Sequence, residues 1–305
     1  MVSRAPWRDW ASPIGQGDPL AGKLYDTSTR AVVAPTVLLR RASGADFVLL
    51  GEKHDNPDHH RLQAWLLTTL VREGKRRAVV MEMLTEAQEQ ALNAKRALDP
   101  KDVNGFAEAV DWEGGGWPRY SLYRPIFEVA AQFDLPIYGG EIADEDLARL
   151  RVRGLVGLPA ELRARLALEP PLPPEVTASL ADEIRAGHCG MASDEMVTAM
   201  LDVQRVRDAS LADALLRANE RMPAVLIAGA GHVRRDAGVP VYLERRAPEK
   251  RALAVAFLEV GGFEAPPLAE LAPQYDFVWY TPRADDLDPC ERFKEQLEKM
   301  KKPKS

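Results

Sequence analysis

Only two cysteines occur in the 305 residues, Cys189 and Cys290, with no CxxC or CxxCH pair. They give no disulfide framework, and they neither demand nor exclude a reducing compartment. No run approaches the roughly 20 apolar residues that a membrane-spanning helix requires. Met1 to Trp10 is polar, lacks an apolar signal core, and is followed by no lipobox cysteine, so the chain is expected to be cytoplasmic or to have lost a leader. Basic residues are outnumbered, giving a net charge of −6. That balance argues against a nucleic-acid partner, which needs an excess of Lys and Arg on one face. The GxSxG elbow, the P-loop and HExxH are all absent. Gly229-Ala230-Gly231 faintly resembles a dinucleotide loop, but Arg234 stands where a third Gly or Ala is needed.

What is present is ordinary for a globular protein: 46% hydrophobic and 28% charged residues. Short apolar runs recur, and each ends in polar residues. Phe47 to Gly51 is one, Ala78 to Met81 a second, Leu135 to Tyr138 a third, and Ala224 to Ala228 a fourth. Leu253 to Val260 and Phe277 to Tyr280 follow. Such runs read as strands buried on both faces. Helical patterns stand between them, and Asn56, Pro57 and Asp58 form a helix-start signature. The fold expected is α/β, a mostly parallel sheet flanked by helices in three layers, with a helical insert or cap. Lys23 to Val33 adds a short hairpin and Pro35 to Arg41 a helical turn or two. Residues 1–22 read as an extension, 23–143 and 223–290 as the α/β core, and 144–222 as the helical insert or cap, divided by the prolines at 170, 171, 173 and 174. Residues 291–305 read as a charged, solvated helical tail.

Ligands of an open parallel sheet bind beyond the carboxyl ends of its strands. The first strand delivers Glu52 and His54 there, the second Glu82, the third Glu141 and the fourth His232. Unpaired charge in low dielectric is costly, so these groups are expected to converge on one another, on a metal or on a ligand. Imidazole and carboxylate suit Mn, Fe or Zn, with Glu52, His54, Glu82 and His232 as metal ligands. Without a metal, the same four residues form a catalytic set in which a His held by a Glu acts as general base on water. A hydrogen-bonded network that merely closes the sheet end is the structural alternative.

His59 falls at helical spacing with Leu62, Leu66 and Leu70, on an apolar face. It reads as a core histidine or as a partner orienting His54 or Glu52, whereas His60 is expected to be exposed. Arg207 interrupts the apolar stripe of Met196, Met200, Val203, Ser210 and Ala214, so it must meet a carboxylate of the protein or of a ligand. His188 lies in the loop before that helix, where it could face the pocket. Trp112, Trp117, Tyr120 and Tyr123 flank a glycine run; they either plug the gap beneath the cap or stack on a flat ligand.

In this order, Leu49 to His60 (LLGEKHDNPDHH), Val79 to Glu82, His188 to Met191 (HCGM), Gln204 to Asp208 (QRVRD), Ala228 to Val233 (AGAGHV) and Tyr275 to Cys290 resemble the ChaN-like haem-binding branch of the Tiki/EreA superfamily. The resemblance spans about Gly22 to Cys290. It implies an α/β core with a helical cap, haem as the ligand, and a role in iron or haem uptake at the bacterial envelope. Relatives in the superfamily are hydrolases of esters or amides, and Glu52, His54, Glu82 and His232 match their hydrolytic site. In the haem reading His54 or His232 contacts iron, Arg207 partners a propionate, and His59, His188 and the four aromatic residues line the ligand. The missing lipoprotein signal departs from that pattern, and a homo-oligomer is left open.

Overall fold

The computed structural model describes residues 5–261, 271–288 and 290; the charged tail expected from Glu291 lies outside them. Eight strands form one sheet: β1 (Leu24–Asp26), β2 (Ala31–Val33), β3 (Phe47–Glu52), β4 (Ala78–Thr85), β5 (Ile137–Glu141), β6 (Ala224–Gly229), β7 (Ala252–Glu259) and β8 (Phe277–Thr281). Their order is β2-β1-β8-β7-β3-β6-β4-β5. From β8 to β5 the strands run parallel, and the β1–β2 hairpin joins antiparallel at one edge. The central strand β3 is buried along its whole length, as its unbroken apolar run requires.

Side chains of a strand alternate between faces, and two cores result. Val48, Leu50, Val79, Met81, Val225 and Ile227 pack on one face with α1 (Pro35–Ser43), α2 (Pro57–Arg72) and α5 (Tyr120–Gln132). Phe47, Leu49, Ala78, Val80, Leu226 and Ala228 pack on the other with α6 (Asp144–Arg153), α9 (Asp194–Asn219) and α10 (Val239–Arg246). Among the described residues, the other α-helices are α3 (Glu86–Leu98) and α4 (Val103–Ala109) after β4, then α7 (Ala160–Arg165) and α8 (Pro174–Gly187) before α9. The architecture is thus a mostly parallel sheet flanked by helices, as the strand pattern implied. Among the described residues, no helix is long and apolar enough to cross a membrane.

Two expectations are corrected. The cysteines are bonded to each other: Cys189, in the turn between α8 and α9, meets Cys290, beyond β8, with Cα atoms 5.7 Å apart. They are 101 residues apart in sequence, so only the tertiary fold brings them within bonding reach. His60 is fully buried, not exposed. Packing of α5, α1 and the N-terminal arm leaves the first turns of α2 only a narrow, partly open stripe at Pro57, Arg61 and Trp65. Backbone N–H groups of Ala11 and Ser12 in that arm grip the buried Asp58 carboxylate at 2.7–3.1 Å.

Gly51, one residue before Glu52, allows the β6 loop to cross close to β3. A Cβ there would collide with Val233 Cγ2 and lie 2.8 Å from Ala230 Cα. Gly51→Ala is therefore expected to lower stability by about 1–3 kcal/mol in urea titrations. An unchanged midpoint would mean that this crossing is not tight.

Candidate functional site at the strand carboxyl ends

Glu52 ends β3 fully inside the protein, and every neighbour of its carboxylate can donate a proton. Oε1 receives the Tyr123 hydroxyl at 2.7 Å and His54 Nδ1 at 3.0 Å. Oε2 receives the Gln63 amide at 2.7 Å and His60 Nδ1 at 3.0 Å. The other nitrogen of His60, Nε2, faces the His54 backbone carbonyl at 3.0 Å. A carbonyl only accepts, so His60 donates from both nitrogens and is an imidazolium. Burial pushes the Glu52 carboxyl up, but His60 and His54 overcome it and hold the group well below the usual carboxylate range.

His59, next along α2, has the opposite character. Its Nδ1 accepts the Lys53 backbone N–H at 2.9 Å and its Nε2 meets Thr281 Oγ1 at 2.8 Å. An imidazole that must accept at one nitrogen is neutral, and burial lowers its pKa to about 3. Both nitrogens are engaged and the side chain is sealed from solvent, so His59 fixes the 53–56 loop.

A second network begins at Glu82 on β4. Its Oε2 accepts the Gly229 backbone N–H at 2.7 Å, and its Oε1 lies 3.1 Å from His232 Nε2. His232 Nδ1 in turn lies 2.7 Å from Asp208 Oδ1 on α9. The imidazole therefore sits between two carboxylates and donates to both. Burial disfavours its cation, but Glu82 and Asp208 prevail and raise the pKa well above the ordinary histidine value. Against the pull of burial, His232 and His54 hold Glu82 down to about 2. Burial raises Asp208 to about 6, only partly offset by His232.

His54 is the point where the networks approach. Glu52 fixes its Nδ1, and its Nε2 faces Glu82 Oε2 at 3.9 Å, too far for a hydrogen bond. Its side chain is 33% exposed, against 8% for His232 and 2% for Glu82. The edge-on Trp117 ring lies 5.2 Å from it. Nε2 of His54 is thus the one nitrogen of these two histidines without a hydrogen bond, and it belongs to the more exposed of the two side chains.

Of the other sequence candidates, only Tyr123 and Trp117 touch these networks. Glu141 and Arg207 form a two-pronged ion pair at 2.7 and 3.2 Å, so the arginine on the apolar stripe meets a carboxylate of the protein itself. Trp112 is buried and donates to the Pro118 carbonyl. Tyr120 is buried and donates to the Val103 carbonyl. Tyr123 belongs to the Glu52 network, and among the four aromatic residues Trp117 alone lies partly open beside His54. His188 ends α8 and bonds the Ile184 carbonyl through Nδ1 at 2.7 Å. Asp208, Gln63 and His60 were not singled out as site residues by sequence reasoning. Gln63 and His60, one turn apart on α2, carry no local signal, because the cover over their side of the helix comes from α5.

The expected metal set of Glu52, His54, Glu82 and His232 does not fit a metal ion as arranged. The oxygens of Glu52 and both nitrogens of His232 are turned on protein partners, and among the described residues no group of three His, Cys, Asp or Glu side chains is disposed to hold one.

The fold and the paired imidazole–carboxylate networks define an α/β protein with a polar site at its strand ends. The chain belongs to the family described as haem-binding uptake, Tiki superfamily, ChaN, whose profile matches residues 38–243. Among solved structures it is similar to ChaN of Campylobacter jejuni, described for cofacial haem binding. That match has a TM-score of 0.68 and 20% identity, over 84% of this chain and 95% of that one. It is also similar to an erythromycin esterase mutant in its open conformation, with a TM-score of 0.50 and 15% identity, over 88% and 99% of the two chains. These likenesses establish a shared fold. Comparison with curated proteins gave no match.

The neutral, buried state of His59 carries a pH dependence. Unfolded, the imidazole protonates below about 6.5; folded, it stays neutral to about 3. The unfolded state therefore binds more protons in that window, and this residue's contribution is lost as pH falls. The stability difference between wild type and His59→Gln is expected to shrink by about 1.4 kcal/mol per pH unit below 6.5. Parallel stability profiles would contradict a neutral His59.

Proposed function

We propose that the protein binds haem at the strand carboxyl ends, with His54 Nε2 as the nitrogen that meets iron. The observation that carries this reading is the state of that imidazole: held at Nδ1 by a buried carboxylate, unbonded at Nε2, and open to solvent on one side. A carboxylate on the far nitrogen fixes the tautomer and makes the near nitrogen a better ligand. Membership of a haem-binding family and the shared fold with a haem-binding ChaN support the same ligand. His232 has both nitrogens engaged by carboxylates, which favours His54 over it. Trp117 is placed to border the ring. Arg207, already paired with Glu141, is not needed for a propionate. Haem is the cargo in this reading, and the family's description supports a part in haem uptake.

A second reading is supported by the chain Asp208–His232–Glu82 facing His54 across 3.9 Å. In it a water held in that gap gives a proton to His54 Nε2 while Glu52 steadies the imidazolium, and attacks an ester or amide carbonyl. The His54 imidazolium then returns that proton to the leaving group, while His232 stays between its two carboxylates and holds Glu82 in place. Here Glu82→Gln is expected to abolish hydrolysis of ester or amide substrates with the fold intact, and retained turnover would dismiss the reading.

For haem, titration of the purified chain with hemin is expected to give a saturable Soret shift. His54→Ala should weaken binding by about tenfold or more, while His232→Ala keeps the wild-type spectrum. Unchanged affinity and spectrum in His54→Ala would reject His54 as the contact.

A further inference from the structure

At the opposite end of the sheet, where β7 begins, the surface sinks into a groove of about 510 Å³. Arg40 and Arg41 line it from the end of α1, Lys250 and Arg251 from the approach to β7, and Arg235 from the segment before α10. Three separate stretches of a chain with net charge −6 thus place five cations around one concavity. Three carboxylates touch them, Asp26, Asp46 and Asp276, so positive charge remains in excess.

The groove is also ordered. Asp276 is 8% exposed. Its Oδ2 accepts the Ala254 backbone N–H at 2.8 Å, and its Oδ1 holds both Arg235, at 2.7 Å, and Arg41, at 3.1 Å. One buried carboxylate therefore fixes two guanidinium groups side by side. Arg41 also lies 4.8 Å over the Phe277 ring. Arg40 and Arg251 are exposed and have no ion pair among the described residues. Guanidinium groups held in this way present planar, paired donors that match phosphate oxygens.

From this we infer that the groove is a binding site for a small, multiply charged phosphate of the triphosphate class, separate from the Glu52–His54–Glu82–His232 site and independent of its haem reading. The volume is in the range of small-molecule sites and larger than one phosphate needs. A nucleic acid is disfavoured because the positive surface is confined to one groove of an acidic protein. Among the described residues no aromatic side chain lines the groove, so recognition is of the phosphate chain.

The test is calorimetric titration of the full chain with inorganic triphosphate at about 0.15 M salt, where loose surface pairing is screened. One saturable site per chain is expected. The double variant Arg40→Glu/Arg251→Glu, which breaks no ion pair of the described structure, should weaken binding by about tenfold or more. Arg151→Glu, a charge reversal on exposed α6, should leave affinity unchanged. Equal affinity for ATP assigns recognition to the phosphates, and tighter ATP binding points to a nucleoside triphosphate. Absence of saturable binding, or equal binding by wild type and the double variant, would overturn the proposal, as would an equal loss in Arg151→Glu.

Discussion

A carboxylate buried at the end of the central strand dictates much of this structure. Glu52 is sealed at the end of the central strand, and leaving such a charge without partners would cost several kcal/mol. Four donors meet it instead, His54 from its own loop, His60 and Gln63 from α2, and Tyr123 from α5. Those contacts fix the loop after β3, the roll of α2 and the docking of α5. The loop is tied further by His59 on the Lys53 backbone and by Asn56, whose side chain accepts from Asp58 N–H and donates to Glu259 and the Pro282 carbonyl.

On the neighbouring strands the same problem is solved around His232, which stands between Glu82 and Asp208. The two clusters have different outward properties. The His232 side is closed, with every polar atom of the imidazole used. The Glu52 side leaves one imidazole nitrogen, His54 Nε2, without a hydrogen bond on a partly exposed side chain. Both the binding and the hydrolytic readings depend on that asymmetry, because each needs a nitrogen held rigidly from behind and unoccupied in front.

The sheet was legible in the sequence because buried parallel strands are short, uninterrupted apolar runs, and their ends are abrupt. Glu52, His54, Glu82 and His232 could be read from those ends by the rule that such sheets bind ligands there. What lay beyond reading was anything set by helix rotation or by contacts distant in sequence. Asp208 reaches His232 only because α9 turns it toward β6, and α9 also carries Arg207, whose partner Glu141 is far back in the chain. His60 looked solvated from its helical angle alone, since nothing local announces that α5 and the N-terminal arm cover α2. The Cys189–Cys290 bond is likewise a product of the tertiary fold, and no short-range spacing encodes it.

The most direct test of the central claim is magnetic resonance of the hemin-loaded protein with ¹⁵N-labelled histidine, read for nitrogen coupling to the iron. Coupling to one histidine nitrogen, lost in His54→Ala and kept in His232→Ala, is the predicted result. Iron without histidine coupling, or coupling that survives the loss of His54, would contradict the account.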